Sequence, residues 1–120
     1  MREDEEGNVG KRILVVDDAA DIRLLVRLYV EAHGHVVVAE AADGRQAIEM
    51  AETHDPEVVV LDVMMPVMSG LDALPQIRTA CPDALIVMYS VLDPNASTGG
   101  LANDWICKGE PLDALTAAIG

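Results

Sequence analysis

The chain of 120 residues has room for one domain with an ordinary core and is too short for two. Apolar residues make up 51% and charged residues 24%, a globular mix that argues against disorder, and no apolar run approaches the ~18 residues needed to cross a bilayer. Eight Lys and Arg against 21 Asp and Glu leave a net charge of −13, a field that repels phosphate backbones and anionic lipid and so makes this domain alone a poor nucleic-acid or membrane binder.

Residues 1–10 (MREDEEGNVG) read as a flexible acidic leader ahead of a domain spanning 11–120. The leader is acidic rather than basic-then-apolar, so it is not a secretory signal. Short β-branched runs then alternate with helical periodicity. Ile13 to Val16, Val36 to Ala39, Val58 to Leu61 and Leu85 to Met88 suit strands buried on both faces, as in a parallel sheet. Between them, Ile22, Leu25, Val26, Tyr29 and Val30 fall at helical spacing, with Gly34 placed to end that helix. Ala47, Ile48 and Ala51 mark a second helix, and Leu71, Leu74 and Ile77 a third. Asp72 as N-cap of the third would put Pro75 in its first turn, where a missing N–H costs little. Trp105 to Cys107 reads as an edge strand and Pro111 to Ile119 as a last helix. A strand–helix alternation of this kind predicts a doubly wound α/β domain. Cys81 and Cys107 have neither metal-ligand spacing nor the number for a disulfide framework, which fits a reducing, cytoplasmic setting.

Ligands of such sheets collect at the carboxyl ends of the strands. The first strand ends in Asp17-Asp18, the third in Asp62, the fourth in Ser90 and the fifth in Lys108. Taken singly, each reads as readily as a helix cap or a solvated charge. Together, three carboxylates on one edge form a like-charge cluster that a cation would relieve, and oxygen-only ligands suit Mg²⁺. Asp62 could then act as nucleophile in an in-line phosphoryl transfer, with Lys108 and the Ser90 hydroxyl on the phosphoryl oxygens.

The segments ILVVDD (13–18), VVVLDVMMPVMSG (58–70), VMYS (87–90) and DWICKG (104–109) together resemble the receiver domain of two-component response regulators, of the chemotaxis-regulator kind, over about residues 11–119. The resemblance implies a flavodoxin-like five-stranded parallel sheet of order 2-1-3-4-5. It implies Asp62 as phosphoacceptor and Mg²⁺ or Mn²⁺ held by Asp17, Asp18, Asp62 and the backbone carbonyl of Met64. Ser90 and Lys108 would bind the phosphoryl group, and Pro66 and Gly70 would shape the loop after the acceptor. Ser90 and Trp105 would form the switch, Trp105 standing where the family usually has a Tyr or Phe. The donor would be a histidine kinase or histidine phosphotransfer protein. The downstream partner or effector is not specified by the sequence, and a homodimer through another face is a further expectation. The activity implied is self-catalysed phosphoryl acceptance and slow autodephosphorylation, not turnover of a substrate.

The sequence departs from the family at four places. Gly109 follows Lys108 where many members have Pro, so the cis peptide common there is not expected. Val91 replaces a small residue and should narrow access to the phosphoryl site. The stretch from Ser90 to Lys108 is shorter by about four residues, about one helical turn. Its DPNASTGG (93–100) is a poor helix former, which predicts a shortened fourth-crossover helix. Competing readings are a degenerate receiver acting as an unphosphorylated interaction module, a Mg²⁺-dependent Asp-nucleophile phosphohydrolase and a flavodoxin-like binding module. The second lacks an acid/base residue at Met64, and the third lacks a phosphate loop, since residues 17–21 read DDAAD.

Overall fold

A computed structural model of the protein describes residues 10–92 and 98–120. In chain order the elements are β1 (Arg12–Val16), α1 (Ala20–Ala32), β2 (Val36–Ala41), α2 (Gly44–His54), β3 (Val58–Leu61), α3 (Gly70–Ala80), β4 (Leu85–Ser90), β5 (Asp104–Cys107) and α4 (Asp113–Ile119). The strands form one sheet in the order β2-β1-β3-β4-β5, and every pairing is parallel. The predicted fold class is therefore the observed one.

The twofold alternation of strand side chains splits the core into two layers. Leu14, Val16, Val59, Leu61, Ile86 and Met88 point to the face covered by α2 and α3. Ile13, Val15, Val58, Val60, Val87 and Tyr89 point to the other, where Val26 and Val30 of α1 and Leu115 and Ile119 of α4 pack. Burial on both faces explains why the central strands read as unbroken apolar runs. The edge strand β5 is less covered, with only Ile106 of its four residues buried.

Helix ends follow local chemistry. Gly34, at φ +92°, takes the left-handed position after α1, while Asp43 accepts from the Gln46 N–H to cap α2. The start of α3 differs from the sequence expectation. Ser69, not Asp72, is the N-cap, its side chain accepting from the Asp72 N–H at 3.1 Å, and Pro75 lies inside the helix. The earlier start has a packing cause. Gly70 donates to the Val63 carbonyl at 2.8 Å, and a Cβ there would stand 1.9 Å from the Asp62 carbonyl oxygen, so the helix begins against the backbone of Asp62 itself.

Residues 1–9 of the predicted leader and the core of the predicted fourth-crossover helix, residues 93–97, lie outside the described residues. Residues 98–103 form a turn and coil that return to the sheet at Asn103. Among the described residues every peptide bond is trans, that of Lys108–Gly109 included. No helix is long and apolar enough to cross a membrane among the described residues.

Candidate functional site

Strand order reverses between β1 and β3, and the crevice beyond their carboxyl ends is where such sheets place ligands. Val16 pairs with Leu61, so the next residue on each strand, Asp17 and Asp62, emerges side by side. Backbone bonds hold both: Asp17 N–H donates to the Ala41 carbonyl and Asp62 N–H to the Val16 carbonyl, each at 3.0 Å. The Arg23 guanidinium also donates to the Asp17 carbonyl at 2.7 Å, tying the first turn of α1 to this strand end.

The side chains converge. Asp17, Asp18 and Asp62 each offer a carboxylate oxygen, and these lie within 4.8 Å of one another. Asp17 and Asp62 are buried and Asp18 is exposed. Lys108 enters from the end of β5, its Nζ 2.6 Å from Asp17 Oδ2 and 3.3 Å from Asp62 Oδ2. The other oxygens are held by backbone donors: Ala19 N–H on Asp17 Oδ1 at 3.0 Å and Val63 N–H on Asp62 Oδ1 at 2.8 Å.

Burial and the neighbouring Asp17 charge push the Asp62 carboxyl above its ordinary value, against the opposing pull of Lys108 and the Val63 N–H. Burial alone would lower the Lys108 ammonium. Its hydrogen bond to Asp17 and the charges of both carboxylates outweigh that, so it titrates above an ordinary lysine. The donor set is hard oxygen, two of three carboxylates are desolvated, and one ammonium leaves the trio net negative. That set fits a small divalent cation such as Mg²⁺. Met64 follows on the same loop with its side chain exposed, offering no acid or base there.

Ser90 is fully buried at the end of β4, where its backbone carbonyl accepts from the Lys108 N–H at 2.8 Å. Its Oγ accepts from the Leu92 N–H at 3.2 Å. The Leu92 carbonyl in turn accepts from the Trp105 indole N–H at 3.0 Å. Trp105 is half-buried against the α2/α3 side of the core. Val91, expected to narrow access to the phosphoryl site, is 69% exposed beside the buried Ser90. Pro66 and Gly70 flank a loop strained at Val67, whose φ is +68°. The loop is pressed onto α2, with Gly44 N–H donating to the Met68 carbonyl at 2.9 Å.

Sequence reasoning missed two members of this neighbourhood. The Lys108 ammonium lies 5.8 Å from the centre of the Tyr89 ring, a cation–π distance, and the adjacency of Tyr89 to Ser90 was the available signal. Leu92 joins Ser90 to Trp105 through its backbone alone, so its side-chain identity gave none.

Fold and site thus define a flavodoxin-like α/β domain with a lysine-bridged acidic cluster at the switch point of its sheet. The model for the response regulator receiver domain matches residues 13–119, and the chain belongs to that family. It is 38% identical to the chemotaxis protein CheY of Bacillus subtilis over 113 residues, covering 90% of this chain and 93% of that one. CheY of Thermotoga maritima is likewise 38% identical, over 73% of each chain. Among solved structures, a LuxR-family two-component response regulator from Aurantimonas sp. SI85-9A1 superimposes with a TM-score of 0.84 at 30% identity, over 92% of this chain and 82% of that one. The response regulator TrrA of Thermotoga maritima, in complex with Mg(2+)-BeF, gives 0.82 at 29% identity, over 89% and 94%. The protein is a CheY-like receiver domain of two-component signalling, a family composed mainly of non-enzymatic signalling modules.

Proposed function

We propose that Asp62 accepts a phosphoryl group from a phosphohistidine on a histidine kinase or phosphotransfer protein, and that the resulting aspartyl phosphate switches partner binding. The observation that carries this reading is the side-by-side emergence of Asp17 and Asp62 with one Lys108 ammonium between them. A buried carboxylate beside a like charge is a poor resting arrangement, and a site that receives a charged group explains why it is kept.

Asp17, Asp18, Asp62 and the Met64 backbone carbonyl would hold Mg²⁺ or Mn²⁺. When bound, that cation supplies positive charge that lets an anionic phosphoryl group approach a carboxylate. The chain's own residues do the rest. An Asp62 carboxylate oxygen forms the new bond to phosphorus in line with the bond that breaks, whose electron pair leaves with the donor imidazole nitrogen. Val63 N–H holds the other Asp62 oxygen and so orients the attacking one. Lys108 shifts from the carboxylates to the phosphoryl oxygens, and the Ser90 hydroxyl donates to another of them. The chain is not itself an enzyme on this reading: its chemistry is phosphoryl acceptance and slow hydrolysis of its own acyl phosphate. A cytoplasmic location goes with a kinase partner of this type and with two unpaired cysteines.

Treatment with acetyl phosphate tests the proposal by intact mass. Wild type should gain one phosphoryl group with Mg²⁺ present and none in excess chelator, and Asp62→Asn should gain none. Equal labelling of Asp62→Asn would remove Asp62 from its role.

A further inference from the structure

One side chain far from the acidic cluster makes more hydrogen bonds than its place on a helix surface requires. Arg78 sits in the last turn of α3, half-buried. Its guanidinium donates to the carbonyls of Cys81 at 3.3 Å, Pro82 at 3.2 Å and Ala84 at 2.6 Å, which form the turn from α3 into β4. The same group reaches across to the return of the β4–β5 crossover. Nε and Nη2 both donate to the Leu101 carbonyl, at 3.1 and 2.8 Å, and Nη2 also reaches Asn103 Oδ1 at 2.8 Å. All these acceptors are neutral, so the positive charge serves to strengthen the bonds rather than to pair with a carboxylate.

Asn103 is where the crossover rejoins the sheet. Its N–H donates to the Ile86 carbonyl and its Oδ1 accepts from the Ile86 N–H, both at 2.8 Å, one step before the first β5 pairing of Asp104 with Val87. Five residues after Asn103 the chain delivers Lys108 to the acidic cluster. At its other end α3 is wedged against the Asp62 carbonyl through Gly70. The helix therefore runs as a strut from the backbone of Asp62 to the start of the strand that carries Trp105 and Lys108.

We infer that Arg78 is a positioning residue: by clamping Leu101 and Asn103 it fixes the start of β5, and so the placement of Lys108 at Asp62 and of Trp105 against Leu92. A lysine cannot replace it, because a single ammonium lacks the planar fork that reaches two segments at once. The part of the claim that concerns Lys108 at the reaction rests on the phosphoryl-accepting reading above; the clamp itself does not.

Amide hydrogen exchange on the full chain, without cation or phosphodonor, tests the clamp. In Arg78→Gln and Arg78→Lys, and in Asn103→Ala as an approach from the crossover side, the Ile86 and Asn103 amides should exchange about tenfold faster relative to Val59 and Val60, the effect of losing a charge-assisted bond. The double variant Arg78→Gln/Asn103→Ala should show less than the sum of the two effects, because both changes remove the bond from Arg78 to Asn103 Oδ1. Acetyl-phosphate labelling of Asp62 should slow severalfold in Arg78→Gln and stay slow in Arg78→Lys. Unchanged exchange at Ile86 and Asn103, or rescue by lysine, would overturn the clamp. Faster exchange with labelling at the wild-type rate would overturn the positioning of Lys108. Failure of wild type to label would count against the phosphoryl-accepting reading and leave the exchange result standing.

Discussion

Asp62 is 5% exposed and shares the Lys108 ammonium with Asp17, so its charge is held at a cost to the fold. Its carboxyl is raised by burial first and by Asp17 second, which means the native chain binds this proton more tightly than the unfolded chain. The stability gained from that proton is fully present below the unfolded carboxylate value of about 4 and is lost as pH rises through the higher native value. Asp62→Asn removes the liability. Without divalent cation at neutral pH its Tm should exceed that of wild type by about 5 °C, a difference of about 1 kcal/mol for a domain this size. The gap should close on acidification toward pH 4 and shrink when Mg²⁺ is added, because the cation stabilises wild type by binding its native state. Thermal melts across pH check this, and a variant less stable than wild type at pH 7 without cation would contradict it. At this scale the sequence was informative wherever a side chain does the work. Asp17, Asp18, Asp62, Ser90 and Lys108 could each be placed at a strand end from the sequence alone. Leu92 could not, because its part is played by an N–H and a carbonyl that every residue owns.

The third helix shows how a local rule yields to packing. Ser69 and Asp72 are both good cap residues, three positions apart, and the avoidance of an interior proline favours Asp72. The chain instead starts the helix at Gly70, where the missing side chain allows the first turn to lie on the Asp62 carbonyl, and buries Ala73, Leu74 and Ile77 against the sheet. Pro75 is then accommodated inside the helix on its exposed side. Propensity is a weak prior beside burial of that kind. Ser69→Ala should therefore cost about 1 kcal/mol of unfolding free energy, the usual value of a lost N-cap. Asp72→Ala should cost about half as much, since its charge only complements the helix dipole. Urea denaturation of the two variants decides between the starts, and the reverse ranking would restore Asp72 as the cap. The strands were easier to read. Both-faces burial makes the central strands β1, β3 and β4 compact apolar runs, and strand ends slipped by only one or two positions.

Across the whole molecule, the proposed phosphorylation at Asp62 would be felt near the edge of the sheet. Ser90, Leu92 and Trp105 form a chain of hydrogen bonds from the buried end of β4 to the half-buried indole of β5. If a phosphoryl oxygen takes the Ser90 hydroxyl, the bond to Leu92 is disturbed and the indole loses its fixed acceptor. Trp105 is the single tryptophan, so its emission reports this directly. Beryllofluoride with Mg²⁺ should shift its emission in wild type, and Ser90→Ala should lose that shift while Asp62 still labels. A response of wild-type size in Ser90→Ala would leave Trp105 as a cover for the sheet edge. The doubly wound class was legible in the alternation of strands and helices, and the strand order followed from the resemblance carried by the motifs. The contacts of the crossover's return were not, since Arg78 and Asn103 act between segments 25 residues apart. The most direct test of the central claim maps the modified residue. Wild type treated with acetyl phosphate and Mg²⁺, then reduced with borohydride, should carry homoserine at position 62 and at no other aspartate. Homoserine at Asp17 or Asp18, or none anywhere in a folded, cation-loaded chain, would contradict the account.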